Sequence, residues 1–219
     1  MIKAVLFDMD DVIVHSTPQH FEAYEKALKE FGVTSVKIPD DLRAKIYGMR
    51  ISEIMQLFVD YFQMDVDFEA LLARRNEYFM QLVAKGVEPM PGLDVILKNI
   101  EKWNLKKALA TSGIQEYASE VLRQFKLTGY FDAIVTGDQI ANPKPAPDTF
   151  LLAAKKLGMK PSECVVLEDA TNGIIAAKKA GMRAIGIKNS VIETHQDLSQ
   201  ADVVVQNLGE INLPILSGD

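Results

Sequence analysis

The sequence predicts an α/β fold, a doubly wound parallel sheet with an all-helical segment inserted near its amino-terminal end. Three observations carry this reading. Short β-branched and apolar runs recur along the chain, each ending near Gly, Asp, Ser or Thr. Helical periodicities lie between most of them, and the stretch from about Ser16 to Lys85 breaks the alternation by containing helical segments alone.

The first run, Ala4 to Phe7, stops at Asp8 and reads as a buried strand. In the helical stretch, Phe21, Tyr24, Leu28 and Phe31 share one helix face, as do Ile51, Ile54, Met55, Phe58 and Phe62, and each face needs a partner helix. A third stripe, Phe68, Leu72, Phe79 and Leu82, carries Arg75 in a turn where an apolar residue is expected. Met49, Met55, Met64, Met80 and Met90 fall in or beside this stretch and read as gap-filling core. The segment Glu88-Pro89-Met90-Pro91-Gly92 is too rich in Pro and Gly to continue a helix; it marks the return to the sheet and reads as a hinge.

Beyond it the strands follow in turn: Lys107 to Ala110, Ala133 to Val135, Val165 to Leu167, Ala184 to Ile187 and Val203 to Val205. Between them, Ile114, Tyr117, Val121, Leu122 and Phe125 keep a helical period, as do Phe150, Ala153, Ala154 and Leu157. Parallel strands need crossovers, and helices on both faces bury the sheet. The expected division is residues 1–15 and 87–219 for the sheet unit and 16–86 for the helical insertion. Ligands of such sheets sit at the carboxyl ends of the strands.

Composition narrows the function. With 219 residues, 48% of them apolar and 25% charged, the chain can bury a core and is neither disordered nor fibrous. A net charge of −6 without a dense Lys/Arg block lacks the footprint of a nucleic-acid or anionic-membrane binder, so small molecules are the expected partners. Cys164 is the sole cysteine, which rules out an internal disulfide and points to a reducing compartment; beside Val165 and Val166 it reads as a buried strand residue. The apolar start is stopped by Asp8 and Asp10, too early for a signal sequence or a span, and a cytoplasmic monomer is expected.

The chemistry-bearing residues fall at strand ends. Asp8 and Asp10, two residues apart, project the same way if strand geometry persists. A buried pair of like charges is costly without a cation, and magnesium is a hard ion that takes oxygen ligands and pairs with phosphates; a plain turn is the alternative. Glu168-Asp169 follows another strand, and if the two strands are neighbours the four carboxylates converge on one metal pocket. Thr111-Ser112-Gly113 precedes a helix, where hydroxyls and backbone amides either cap the helix or favour an anion. Lys144 stands among Pro143, Pro145 and Pro147, which stiffen its loop and suit it to act as a point charge for phosphate.

In this order, Phe7-Asp8-Met9-Asp10-Asp11-Val12, Thr111, Lys144-Pro145 and Glu168-Asp169 resemble the four motifs of the haloacid dehalogenase superfamily over the whole chain. The subgroup is similar to β-phosphoglucomutases and small sugar-phosphate phosphatases, with a Rossmann-like core and a helical cap after the first motif. The resemblance implies Asp8 as nucleophile and Asp10 as general acid and base, with the Asp10 backbone carbonyl also touching Mg2+. It further implies Asp8 and Asp169 as metal ligands with Glu168 in support, and Thr111, Ser112 and Lys144 around the transferring phosphoryl group. An aspartyl phosphate divides one hard displacement into two. A dehalogenase would not need the acid at Asp10, whereas a phosphate ester does.

Two positions depart from the pattern. Asp11 stands where Gly is usual, so its turn and the metal site are expected to be altered and turnover reduced. His15 stands where Asp is usual, and reads either as a proton-transfer group or as a capped or surface residue. In the cap, His20 matches a His of the mutase branch, and Arg50, after Gly48-Met49, lies in what resembles the substrate-specificity loop. Arg75 either faces the cleft and touches phosphate or snorkels. After Thr111 the chain reads Ser112-Gly113-Ile114-Gln115 where mutases carry Ser-Lys-Asn, and Ile114 cannot replace that Lys. The expected activity is therefore a magnesium-dependent phosphatase of a small phosphorylated metabolite, with a mutase second and a binding-only member third.

Overall fold

A computed structural model describes residues 1–34, 36, 38–39, 42–43, 46, 49–188 and 196–218. Gly48, named with the loop before Arg50, lies outside the described residues. The chain divides into two compact units, Met1–His15 with Glu88–Asp219, and Ser16–Val87.

The first unit is built on strands β1 (Ala4–Phe7), β4 (Lys106–Ala110), β5 (Ala133–Val135), β6 (Cys164–Glu168), β7 (Arg183–Ile187) and β8 (Val203–Val205). They form one sheet in the order β5-β4-β1-β6-β7-β8, and every pairing is parallel. All six strands read from the sequence are present, three of them one or two residues longer. A further pair has no signal in the sequence: β2 (Val14–His15) and β3 (Glu88–Pro89), the latter in the Pro- and Gly-rich segment, form a two-residue antiparallel ribbon. Pro89 is tolerated because a short edge ribbon does not require its missing donor.

β1 lies at the centre, and all four of its residues are fully buried, as expected for a parallel strand covered on both faces. Alternation sends Ala4 and Leu6 to one face, where they join Ala108, Ala110, Val166 and Phe150 in a single core. Phe7 points the other way and meets Phe131 edge to face, with ring centroids 5.8 Å apart. Full burial of side chains such as Leu6 and Phe7 contributes about 1.5–3 kcal/mol each.

The covering helices are α4 (Leu93–Lys102), α5 (Gln115–Gln124), α6 (Asp148–Leu157) and α7 (Thr171–Lys179), with α8 (Leu213–Ser217) near the carboxyl end. After β5 the chain crosses back over β1 through α6 to start β6, so the strand order reverses beside β1. That reversal opens a crevice at the carboxyl ends of β4, β1 and β6.

The second unit holds α1 (Thr17–Glu30), α2 (Ile51–Tyr61) and α3 (Phe68–Lys85). Pro18 opens α1 in its first turn, and Asp67 caps α3 by accepting from the amides of Glu69 and Ala70. Its core joins Tyr24, Leu28, Ile54, Met55, Phe58 and Leu71, with Phe21, Phe31, Ile51 and Phe62 partly buried against it. Arg75 does not snorkel. It is only 2% exposed, its guanidinium lies 4.6 Å from the Tyr24 ring and 4.9 Å from the Phe79 ring, and it bonds to His20 Nδ1. Two aromatic faces, the His20 imidazole and the Asn76 side-chain oxygen at 3.2 Å replace the water that a snorkelling arginine would reach. No described helix is long and apolar enough to cross a membrane.

Candidate active site

β1 delivers Asp8 to the crevice, and the Asp8 amide donates to the carbonyl of Leu167 on β6, so the two strand ends stay in register past the last paired residues. The backbone then folds into a tight turn in which the amides of Ile13 and Val14 donate to the Met9 carbonyl and that of Asp11 donates to Val14. Asp11 takes a positive φ of 52°. That conformation explains why Gly is usual there, and Asp is among the few other residues that adopt it readily. The Asp11 carboxylate lies 3.3 Å from His15 Nδ1, which identifies His15 as a paired residue at the ribbon.

The β5–α6 loop carries Lys144, whose ammonium is buried between three acceptors: Asp8 Oδ1 at 2.5 Å, Glu168 Oε1 at 3.1 Å and the Ala110 carbonyl at 3.3 Å. The Phe150 ring lies beneath it at 4.6 Å. Glu168 turns its second oxygen to the Asp169 amide at 2.9 Å. Carboxylate oxygens of Asp8, Glu168 and Asp169 all lie within 4.8 Å of one another. Asp10 is not a member of that 4.8 Å group; its Oδ1 accepts from Tyr117 Oη at 2.6 Å. The tight turn after Met9 ends the strand geometry on which equal projection of Asp8 and Asp10 depended.

Electrostatics follow from this crowding. Burial and then the charge of Glu168 push the Asp8 carboxyl up to about 8, against the pull of Lys144. Asp169 is raised well above the usual carboxylate range, first by burial and then by Glu168, Asp11, Asp8 and Asp10. Burial opposes the charge on Lys144, but Asp8 and Glu168 outweigh it and its ammonium is held more firmly than usual. One lysine thus faces a set of buried acids, and an all-oxygen donor set of this kind suits a hard divalent cation.

The third strand end, β4, supplies Thr111 and Ser112. Thr111 is fully buried, and its hydroxyl accepts from the Gly113 amide at 2.9 Å. Neither residue caps α5: Ile114 stands at the cap position, and Asp138 accepts from the Gln115 amide at 3.2 Å. The loop is fixed from outside by Gly137, whose amide donates to the Gly113 carbonyl and where a Cβ would lie 2.2 Å from the Ser112 carbonyl oxygen.

Of the remaining candidates, His20 and Arg75 pair inside the helical unit, and His20 stacks on Phe79 at 4.2 Å. Arg50 is exposed at the start of α2, where its amide donates to Glu53. Sequence reasoning missed Tyr117 and Asp138. Tyr117 was visible only as a member of an apolar helix face, and Asp138 only as a loop acid.

Residues 5–187 match the profile of the haloacid dehalogenase-like hydrolases. The chain belongs to this family. Among its relatives in the family, fructose-1-phosphate phosphatase YqaB of Escherichia coli is 35% identical over 84% of this chain and 95% of its own. A phosphorylated carbohydrates phosphatase of Thermotoga maritima is 34% identical over 87% of each chain. Among solved structures, CbbY of Rhodobacter sphaeroides in complex with phosphate superposes with a TM-score of 0.85 at 26% identity, covering 99% of both chains.

Proposed function

We propose that this hydrolase is a magnesium-dependent phosphatase acting on a small phosphorylated sugar or similar metabolite through an aspartyl phosphate on Asp8. The observation that carries the reading is the cluster of buried Asp8, Glu168 and the Lys144 ammonium with half-buried Asp169 at the carboxyl ends of β1 and β6. The two carbohydrate-phosphate phosphatases among its relatives support the substrate class.

Asp8 and Asp169, supported by Glu168 and the Asp10 carbonyl, would hold Mg2+. When bound, the ion neutralises the carboxylates and the phosphoryl oxygens, which frees Asp8 from the proton that burial otherwise favours. A carboxylate oxygen of Asp8 forms the bond to phosphorus while the ester P–O bond breaks, and Asp10 gives its proton to the departing alcohol. Water then attacks the aspartyl phosphate, Asp10 takes its proton, and inorganic phosphate leaves. Lys144, Thr111 and Ser112 hold the phosphoryl oxygens through this exchange.

We assign the choice of substrate to the helical unit, through His20 and Arg50; Arg75, enclosed and bonded to His20, acts by fixing the imidazole. Buried, unpaired Cys164, its thiol pushed up to about 11 by burial, suits a reducing compartment, which we take to be the cytoplasm.

The test is phosphate release from hexose phosphates, phosphoglycolate and nucleoside monophosphates, with and without Mg2+, beside the Asp8→Asn protein. Mg2+-dependent release that the variant loses is the expected result. Absence of release from every ester would overturn the phosphatase reading and direct the assay to mutase turnover of β-glucose 1-phosphate with a bisphosphate primer.

A further inference from the structure

Tyr117 has no part in the chemistry described so far. It lies on the buried face of α5, 2% exposed, at a position where the helical period asks only for an apolar ring. Its hydroxyl nevertheless reaches across to the turn after β1 and donates to Asp10 Oδ1 at 2.6 Å. The ring is also closely seated against the loop after β4, since a Cβ on Gly113 would lie 2.8 Å from Tyr117 Cδ1. One side chain therefore touches both the acid–base turn and the loop proposed to hold phosphate.

We infer that Tyr117 is a positioning residue for Asp10, fixing the plane of its carboxyl group so that a proton is delivered to and taken from one oxygen only. This rests on the assignment of Asp10 as general acid and base. A carboxyl group can offer a proton from either oxygen, and its terminal torsion is broad. Donation from Tyr117 anchors Oδ1 as an acceptor, which puts the exchangeable proton on Oδ2. The anchor is itself rigid, because Asp138 and Gly137 hold the start of α5 and the loop before it. Proton transfer depends steeply on such alignment, and locked supporting contacts are what maintain it.

The relationship is read out by the leaving group. An alkyl phosphate such as a hexose phosphate needs its departing oxygen protonated; p-nitrophenyl phosphate departs as a stabilised phenolate and does not. Tyr117→Phe keeps the ring and removes the hydroxyl. Its kcat/KM, which reports the steps up to alcohol release, should fall about tenfold to a hundredfold on the alkyl ester, the worth of one hydrogen bond to a charged group. On p-nitrophenyl phosphate the same variant should stay within about threefold of wild type, which also shows that it is folded and metal-loaded. Asp10→Asn is measured in parallel and should show the larger version of the same split. An equal loss on both esters, or no loss on either, in Tyr117→Phe while Asp10→Asn keeps the split would overturn the inference alone. Loss of the split in Asp10→Asn would overturn it together with the assignment of Asp10.

Discussion

The carboxylate of Glu168 fills the space that a side chain at position 173 would need: a Cβ on Gly173 would lie 1.4 Å from Glu168 Oε1 and 2.0 Å from its Cδ. Gly173 sits inside α7, where glycine is otherwise unfavourable by about 1 kcal/mol. Its presence lets Glu168 turn inward to Lys144 and the Asp169 amide. Gly173→Ala should therefore displace Glu168, lower stability by about 1–3 kcal/mol through overpacking, and weaken Mg2+ binding. Thermal unfolding with and without Mg2+ measures both effects.

Lys144 is the cation that the buried acids share. Its replacement in Lys144→Met leaves Asp8 and Glu168 facing one another without compensation. The metal-free variant should lose about 3–5 kcal/mol well above pH 8, the usual penalty for removing one partner of a buried ion pair. Denaturant unfolding at about pH 9.5 and pH 6 checks this, with a smaller loss expected at pH 6, where Asp8 carries a proton with or without Lys144.

Asp11 holds a left-handed backbone, so the two smallest replacements should differ in stability. Asp11→Gly adopts this conformation without strain, while Asp11→Ala does not and should be less stable than the Gly variant by about 1 kcal/mol. Chemical denaturation gives the difference. Removing the charge that Asp11 adds to the acidic site should also raise turnover in the Gly variant, seen in kcat on the best ester of the substrate panel.

The pH dependence of the metal-free protein follows from Asp8. Its carboxyl moves from an ordinary value near 3.8 to about 8 on folding. Between these values the folded state holds more protons than the unfolded one, so stability falls as pH rises through this window. Mg2+ must displace that proton, and its affinity should rise toward pH 8. The shift in Tm on adding Mg2+ should accordingly be larger at pH 8 than at pH 6; an equal shift would contradict the placement of Asp8 among the ligands.

Sequence periodicity sufficed for the sheet because Ala4–Phe7 and Cys164–Glu168 are apolar throughout, the mark of strands covered on both faces. The acids and Lys144 were legible because each falls at a strand end or in a proline-bound loop. The ribbon of Val14–His15 with Glu88–Pro89 was not, since two residues on each side carry no period and Pro argues against a strand. Asp10 was placed by strand alternation that a turn interrupts, and Tyr117 and Arg75 reach their partners from distant parts of the chain. Such contacts depend on which helices meet, a property of topology rather than of local pattern.

The ribbon also bears on how this protein can change over generations. Because the chain leaves the sheet unit at His15 and rejoins it at Glu88, directly opposite in the pairing, the sheet encounters everything between as a hairpin connection. Lengthening such a connection adds loop-closure entropy only logarithmically, about 0.6 kcal/mol for each doubling. Segments of different length and sequence can therefore be exchanged there with little penalty to the strands that lead to Asp8, Thr111 and Glu168, so the insertion is free to vary while those residues stay where they are.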